Sequence, residues 1–342
     1  MKPEQASNRL LGITRSKAKM YEYNVPAQYH IDIPRDPSRL FPLAIGLLGD
    51  FASRLNYNTI DKSVLTEMRD NLHFSAYFFD AYCESKLKRD LDPYLLLLSS
   101  ASYYLCDLPG SSGVLSSRLE GNDHNLDCLG LEKMLSWLLK GDFSRQLDNP
   151  NGVYGKYIND LANCLVGFFG DGAGRREVFK KSEQLINYVY ANGSPRQLLF
   201  ADLICALVKK RLTNSTWYCL PLYSGISIES WRPILKKGTF IKEFWPAQHL
   251  LGERGVFSGT SAIVQMPTSA GKTRAIEIII RSSFLSGRTT LTVIVAPFKA
   301  LCHEIKSSLV EAFYDEAVSV DELSDVLQTD FEVDTLLRRN QI

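Results

Sequence analysis

Residues Ile263–Thr273 read I-V-Q-M-P-T-S-A-G-K-T, and they restrict the fold more than any other stretch of the chain. The apolar run Ala262-Ile263-Val264 leads into a loop of small residues that closes on Gly271-Lys272-Thr273, and Arg274–Ser283 then carries a helical pattern. A strand, a small-residue loop and a helix in that order make a phosphate cradle. Backbone N–H groups at a helix start point at an anion, and the aligned peptide dipoles add partial positive charge there. Gly271 lets the backbone approach a phosphate with no Cβ in the way. Lys272 is the candidate catalytic cation, able to reach β- and γ-phosphates, and the Thr273 hydroxyl is the candidate metal ligand, for Mg²⁺. The candidate cradle comprises Pro267, Thr268, Ser269, Ala270, Gly271, Lys272 and Thr273. Met266 stands where the G-x-x-x-x-G-K-[ST] pattern has its first glycine.

The flanks add to this. Downstream, the β-rich run Leu291–Val295 leads into Ala296-Pro297-Phe298-Lys299-Ala300-Leu301-Cys302-His303-Glu304; upstream stands Phe244-Trp245-Pro246-Ala247-Gln248. Together the three segments resemble the opening of a superfamily-two DExD/H-box helicase, in wording closest to the superkiller-type DExH branch. The resemblance runs from about Trp231 to the C-terminus and rests on order and spacing as well as on the motifs. It implies ATP and Mg²⁺ as cofactors and DNA or RNA as partner. It makes Gln248 the adenine-reading residue of a Q motif, M-P-T-S-A-G-K-T a motif I in which the first glycine is commonly replaced, and V-A-P-F-K-A-L-C-H-E a motif Ia that touches the nucleic-acid backbone. Pro297, Lys299 and His303 are the candidate nucleic-acid contacts.

On chemistry alone, a glutamine amide offers both donor and acceptor to an adenine edge. Phe240 or Phe244 either stacks on the base or packs in a core. Lys299 and His303 lie where a loop enters a helix, so they either meet a backbone phosphate or form a solvated face.

The rest of the chain reads differently. Residues 1–39 are polar and carry Pro26, Pro34 and Pro37 with no sustained period, which suggests an extended arm. Lys2, Arg9, Arg15, Lys17 and Lys19 make it mildly basic, as a solvated tail or as a nucleic-acid arm. Residues 40–212 read as helix throughout: Phe41–Leu55, Asp61–Lys88, Pro93–Cys106, Ser111–Leu119, Gly130–Leu139, Tyr154–Phe169, Arg175–Tyr190 and Pro195–Leu212. Residues 213–238, with Trp217, Pro221, Gly225, Trp231 and Pro233, break the pattern and read as a linker. Residues 239–342 alternate strand and helix, with strands expected at Ala262–Gln265, Leu291–Val295 and Val318–Val320 and a short helix at Glu322–Gln328. The fold class expected is α plus α/β: a helical bundle or irregular helical-repeat domain followed by a partial RecA-like parallel P-loop domain.

Three other constellations are set aside. Asp315-Glu316 follows the tail of a helix and no buried strand, so it reads as surface acids. Gly167, Gly170, Gly172 and Gly174 follow an amphipathic helix, which is a helix end and turn. Asp123, His124, Asp127 and Cys128 have no further ligand in sequence and read as a polar inter-helix loop.

A net charge of +1 announces no polyanion partner globally, so any nucleic-acid surface is a local patch. Seven scattered cysteines without a C-x-x-C pair fit reduced thiols and a cytoplasmic protein. The longest apolar stretch, Tyr94–Leu105, is too short and too serine-rich for a bilayer, so no membrane partner is expected. The function expected is the N-terminal part of an ATP-dependent helicase or translocase, ending after motif Ia, with a candidate protein partner on the helical domain. Without the carboxylates that hold Mg²⁺ and orient water, and without the arginine of a second domain, the chain alone is expected to be inactive as an ATP hydrolase. The competing reading is a helical interaction module with a nucleotide-sensing or vestigial P-loop appendage.

Overall fold

The polar N-terminus forms a helix. In the computed structural model, α1 (Gln5–Glu22) occupies nearly half of the segment whose prolines suggest an extended arm. Those prolines all lie beyond the helix, and Leu11, Thr14 and Ala18 make a narrow buried stripe that was too sparse to read in sequence. The structure describes residues 1–57, 61–87, 92–119, 130–148, 152–267, 270–322 and 340–342. These divide into two compact units, Met1–Leu212 and Thr213–Ile342.

The first unit continues with α2 (Phe41–Tyr57), α3 (Lys62–Glu84), α4 (Asp92–Leu105), α5 (Pro109–Ser117), α6 (Leu131–Lys140), α7 (Gly155–Asp171), α8 (Arg175–Asn192) and α9 (Pro195–Asn214). α3 is the hub, packed against α1, α2 and α4. Its aromatic stripe meets α2 edge-on, with the Phe41 and Phe78 rings 5.0 Å apart. The serines of α4 explain its close fit to both neighbours. Ser99 donates to the Ala76 carbonyl at 3.1 Å and Ser100 to the Ser112 carbonyl at 2.8 Å, so small side chains let backbones approach with every hydroxyl satisfied. Gly172, at φ +75°, ends α7, so the glycine run there is a helix terminus.

Buried charges in this unit cap and clamp. Lys210 reaches Asp107 at 2.6 Å and the Leu105 carbonyl at 2.9 Å, and Arg69 meets Asp107 from the other side. Burial pushes the Asp107 carboxyl up, but the two cations outweigh it and hold it below the usual range. Arg211 donates to the Leu138 and Leu139 carbonyls at 2.7 and 3.0 Å, closing the end of α6, where Gly141 turns at φ +69°. A Cβ on Gly141 would run into that guanidinium.

The second unit opens with α10 (Thr216–Ser224) and α11 (Ile228–Leu235) in the stretch read as a linker. Of the residues that suggest a break, Gly225 is a helix end, while Trp217, Pro221, Trp231 and Pro233 lie inside these helices, which serines cap. Ser215 accepts from the Trp217 N–H and Ser227 from the Ser230 N–H, and Gly225 turns at φ +69°. Trp231 is fully buried and donates its indole N–H to Ser224 at 3.1 Å. Then come α12 (Pro246–Glu253), α13 (Lys272–Leu285), α14 (Lys299–Ala312), β1 (Val318–Ser319) and β2 (Asn340–Gln341).

Among the described residues the expected strands at Ala262–Gln265 and Leu291–Val295 form no ladder of their own. β1 pairs with β2 in parallel, and Leu291 bridges to Gln341, also in parallel. Strand character in residues 291–296 nevertheless shows as period two. Thr292, Ile294 and Ala296 are half-buried, while Leu291, Val293 and Val295 are exposed. Ile294 packs on a core of Ile280, Leu309, Ala312 and Phe313 from α13 and α14 with its flanks. One face of the extended run is therefore covered and the other is bare. A RecA-like sheet needs strands paired on both sides and helices on both faces, and the described residues supply only part of that. The structure is thus predominantly helical with a small parallel pair. All but the first residue of the helix expected at Glu322–Gln328, and the Asp123–Cys128 cluster, lie outside the described residues.

Candidate nucleotide site

Trp245-Pro246-Ala247-Gln248 forms the first turn of α12, with Pro246 at the position that tolerates a missing N–H. The Gln248 side-chain oxygen accepts from the Trp245 N–H at 2.6 Å. Its amide nitrogen donates to the Gly271 carbonyl at 3.3 Å. That carbonyl also takes the first bond of α13, from the Ala275 N–H at 3.0 Å. Gln248 is 3% exposed, so it acts as a strut from the start of α12 to the start of α13. Half of its hydrogen-bonding capacity is spent there and half remains.

Gly271 sits at φ +84°, ψ 32°, the left-handed region. A Cβ there would strike the Gln248 amide. The turn carries the chain from Pro267, whose carbonyl takes the Ala270 N–H at 3.3 Å, into α13. Lys272 and Thr273 open α13 and are exposed, as is Pro267, while Ala270 is half-buried. Thr268 and Ser269 lie outside the described residues. The loop thus offers an accessible helix start, a cation and a hydroxyl, a donor set that fits a triphosphate with Mg²⁺. From the described residues the metal would take Thr273, with phosphate oxygens and water completing its shell.

Pro297, Lys299 and His303 occupy an exposed stretch at the start of α14. Lys299 and His303 are one turn apart on the same side. His303 Nδ1 lies 3.8 Å from a Glu322 carboxylate oxygen. The structure joins Gln248 to Gly271 directly, whereas these three residues form a stretch of their own. Phe240 and Phe244 are both buried. Phe244 stacks on Tyr223 at 5.9 Å, and the Arg281 guanidinium lies 5.6 Å from the Phe240 ring, so both pack inside the unit. Trp245, half-buried at the head of α12, is the aromatic side chain left near Gln248 in sequence with surface to offer.

Sequence reasoning missed the charge network behind α13. Arg281, 2% exposed, donates to Glu277 at 2.9 Å, to the two Glu316 oxygens at 2.6 and 2.8 Å, and to the Ala312 carbonyl at 2.6 Å. Lys237 reaches Glu316 at 2.6 Å and Arg274 reaches Glu277 at 3.1 Å. Glu316 was read as a surface acid. It is instead the partner of a buried guanidinium, and the legible clue was the i,i+4 spacing of Glu277 and Arg281. Among the described residues no group of three or more His, Cys, Asp or Glu side chains could hold a metal. No helix there is long and apolar enough to cross a membrane.

Over 266 residues the chain is 22% identical to Hachiman protein HamB of Bacillus cereus, which takes in 72% of this chain and 24% of that protein. That stretch is longer than Thr213–Ile342, so the likeness reaches into the helical unit as well. The chain spans about a quarter of the length of that curated relative. Residues 246–337, from the first residue of α12 onward, match the DEAD/DEAH box helicase family, so in this segment the chain is related to the helicases of that family.

Proposed function

We propose that the chain provides the nucleotide-binding opening of an ATP-dependent nucleic-acid helicase or translocase, of the superkiller-type DExH branch, acting in the cytoplasm. The observation that carries it is the Gln248–Gly271 bond. It ties the residue expected to read adenine to the left-handed turn expected to receive phosphate, inside the segment that matches the helicase family. On this reading Lys272 holds the β- and γ-phosphates and Thr273 holds Mg²⁺. The remaining half of the Gln248 amide faces the adenine edge. Pro297, Lys299 and His303 meet the backbone of DNA or RNA, and the helical unit engages the strand or a protein partner.

The test is titration of the full chain with a fluorescent ATP analogue and Mg²⁺. Lys272→Ala is expected to weaken binding by about tenfold or more, the loss of one charge-assisted contact to phosphate, while leaving the thermal melt in place because the side chain is exposed. Gln248→Ala is expected to erase the preference for ATP over inorganic triphosphate. Undiminished binding by Lys272→Ala overturns the reading.

A further inference from the structure

The basic residues near the N-terminus are not used by the nucleotide site, and the structure gives them a setting. α1 carries Arg9, Arg15, Lys17 and Lys19 against a single acid, Glu22. Its buried stripe packs on α3, which leaves Asn8, Gly12, Arg15 and Lys19 on successive turns of an adjoining face. There a cleft of about 350 Å³ opens between α1 and α3. Lys2 and Arg15 line it beside Asp70, with His73, Phe74 and Tyr77 on the wall, and Lys2 also lies 3.6 Å from the Glu67 carboxylate at the surface.

Cations and rings are paired throughout this region. The Arg15 guanidinium lies 4.3 Å over the Tyr77 ring, and His73 stacks on Tyr77 at 5.8 Å. Further along α1, Lys19 lies 5.8 Å from the Tyr23 ring while also bonding Glu22 at 2.6 Å, and Lys86 lies 5.3 Å from Tyr21. Tyr23 and Tyr29 are 72% and 67% exposed. His73 Nδ1 is buried with no partner among the described residues. A Cβ added at Gly12 would meet nothing within 4 Å, so the cleft is open at that point.

Phosphates are held by flanking cations, and bases stack on rings or on guanidinium planes without regard to sequence. An isolated basic helix would supply only the first of these, and a hydrophobic docking groove only an apolar wall. We propose that the α1–α3 cleft and the exposed face of α1 bind a nucleotide unit. Its base lies against the Arg15–Tyr77 stack and its phosphates lie along Lys2 and Lys19. The unit belongs either to a single-stranded nucleic acid or to a free mononucleotide. The site stands on α1 and α3 alone and does not depend on the loop at Lys272.

Anisotropy of a labelled ten-residue oligothymidylate or oligouridylate on the full chain, and calorimetric titration with AMP, distinguish the two sources. Gly12→Glu places a carboxylate in the cleft without touching the packed face, and Arg15→Ala removes the stacking cation. Each is expected to weaken binding by about tenfold, the worth of one stacked base, and Gly12→Ala is expected to bind as the wild type does. Loss with the oligonucleotide alone assigns the site to a strand, and loss with AMP also assigns it to a free nucleotide. The AMP titration is repeated with Lys272→Ala. The proposal is overturned if neither probe binds the wild type, if Gly12→Glu and Arg15→Ala bind both probes undiminished, or if AMP binding vanishes in Lys272→Ala while AMP and the oligonucleotide both bind Gly12→Glu as they do the wild type.

Discussion

Gly271 is held by two constraints that act on the same atom. Its left-handed φ costs any L side chain about 1–2 kcal/mol, and the Gln248 amide fills the space a Cβ would take. Gly271→Ala is therefore expected to destabilise the loop by more than the backbone term alone, roughly 2 kcal/mol by thermal or urea melts. Gln248→Ala alone removes two buried hydrogen bonds, worth about 1 kcal/mol each. In the double variant the steric clash is gone, so the two losses should sum to less than their parts. Strict additivity would show that Gln248 and Gly271 are not coupled. At this scale the sequence was only half legible. The G-K-T tripeptide and its preceding small residues can be read because the turn needs glycine. The inward aim of Gln248 cannot, since a glutamine in a helix's first turn carries no mark of what its amide will meet.

Among the elements, α13 is fixed more firmly than its modest apolar stripe implies. Arg281 ties the middle of the helix to Glu277 within it, to the last turn of α14 through Ala312, and to Glu316 beyond. The ring of Phe313 lies 4.1 Å beneath the guanidinium. Cutting one partner out of such a buried pair strands the other charge, at a cost of about 3–5 kcal/mol. Arg281→Ala is expected to lose that much from the melting of the second unit. Arg281→Met, which keeps the stem's packing, should lose less only if Glu316 can turn to solvent, because 22% of its side chain is already exposed. A change below about 1 kcal/mol for Arg281→Ala would mean that the network is ornamental. From α2 to α9 the helices of the first unit were legible to within a few residues at their ends, because 3.6-residue stripes and N-caps are local signals, whereas α1 was hidden by its sparse stripe. The helices at 216–235 were hidden because Ser and Gly serve equally as breakers and as caps, and because Pro221 and Pro233 stand inside the helices, where proline ordinarily signals a break. The strands were legible as extended chain but not as a sheet, since a ladder depends on residues far away in sequence.

For the molecule as a whole, the two units differ in how completely they cover their apolar residues. In the first, α3 is packed against α1, α2 and α4, and Phe78, Phe79 and Tyr82 of its aromatic stripe are buried. In the second, Val293 and Val295 are 73% and 90% exposed, and Phe298 just beyond them and Ile263 ahead of the candidate phosphate loop are exposed as well. Extended apolar chain with one bare face invites pairing with other copies. The period-two burial of residues 291–296 makes this testable with neighbours in sequence. Val293→Thr together with Val295→Thr keeps β-branched shape and removes apolar surface from a face that packs on nothing described. That pair is expected to reduce self-association in sedimentation velocity at concentrations where the wild type associates, with its melting temperature unchanged. Ile294→Thr alters the alternate face, which packs on the α13–α14 core, and is expected to cost about 1–2 kcal/mol without relieving association. Equal destabilisation by all three substitutions would mean that both faces are covered and that the segment lies inside a sheet.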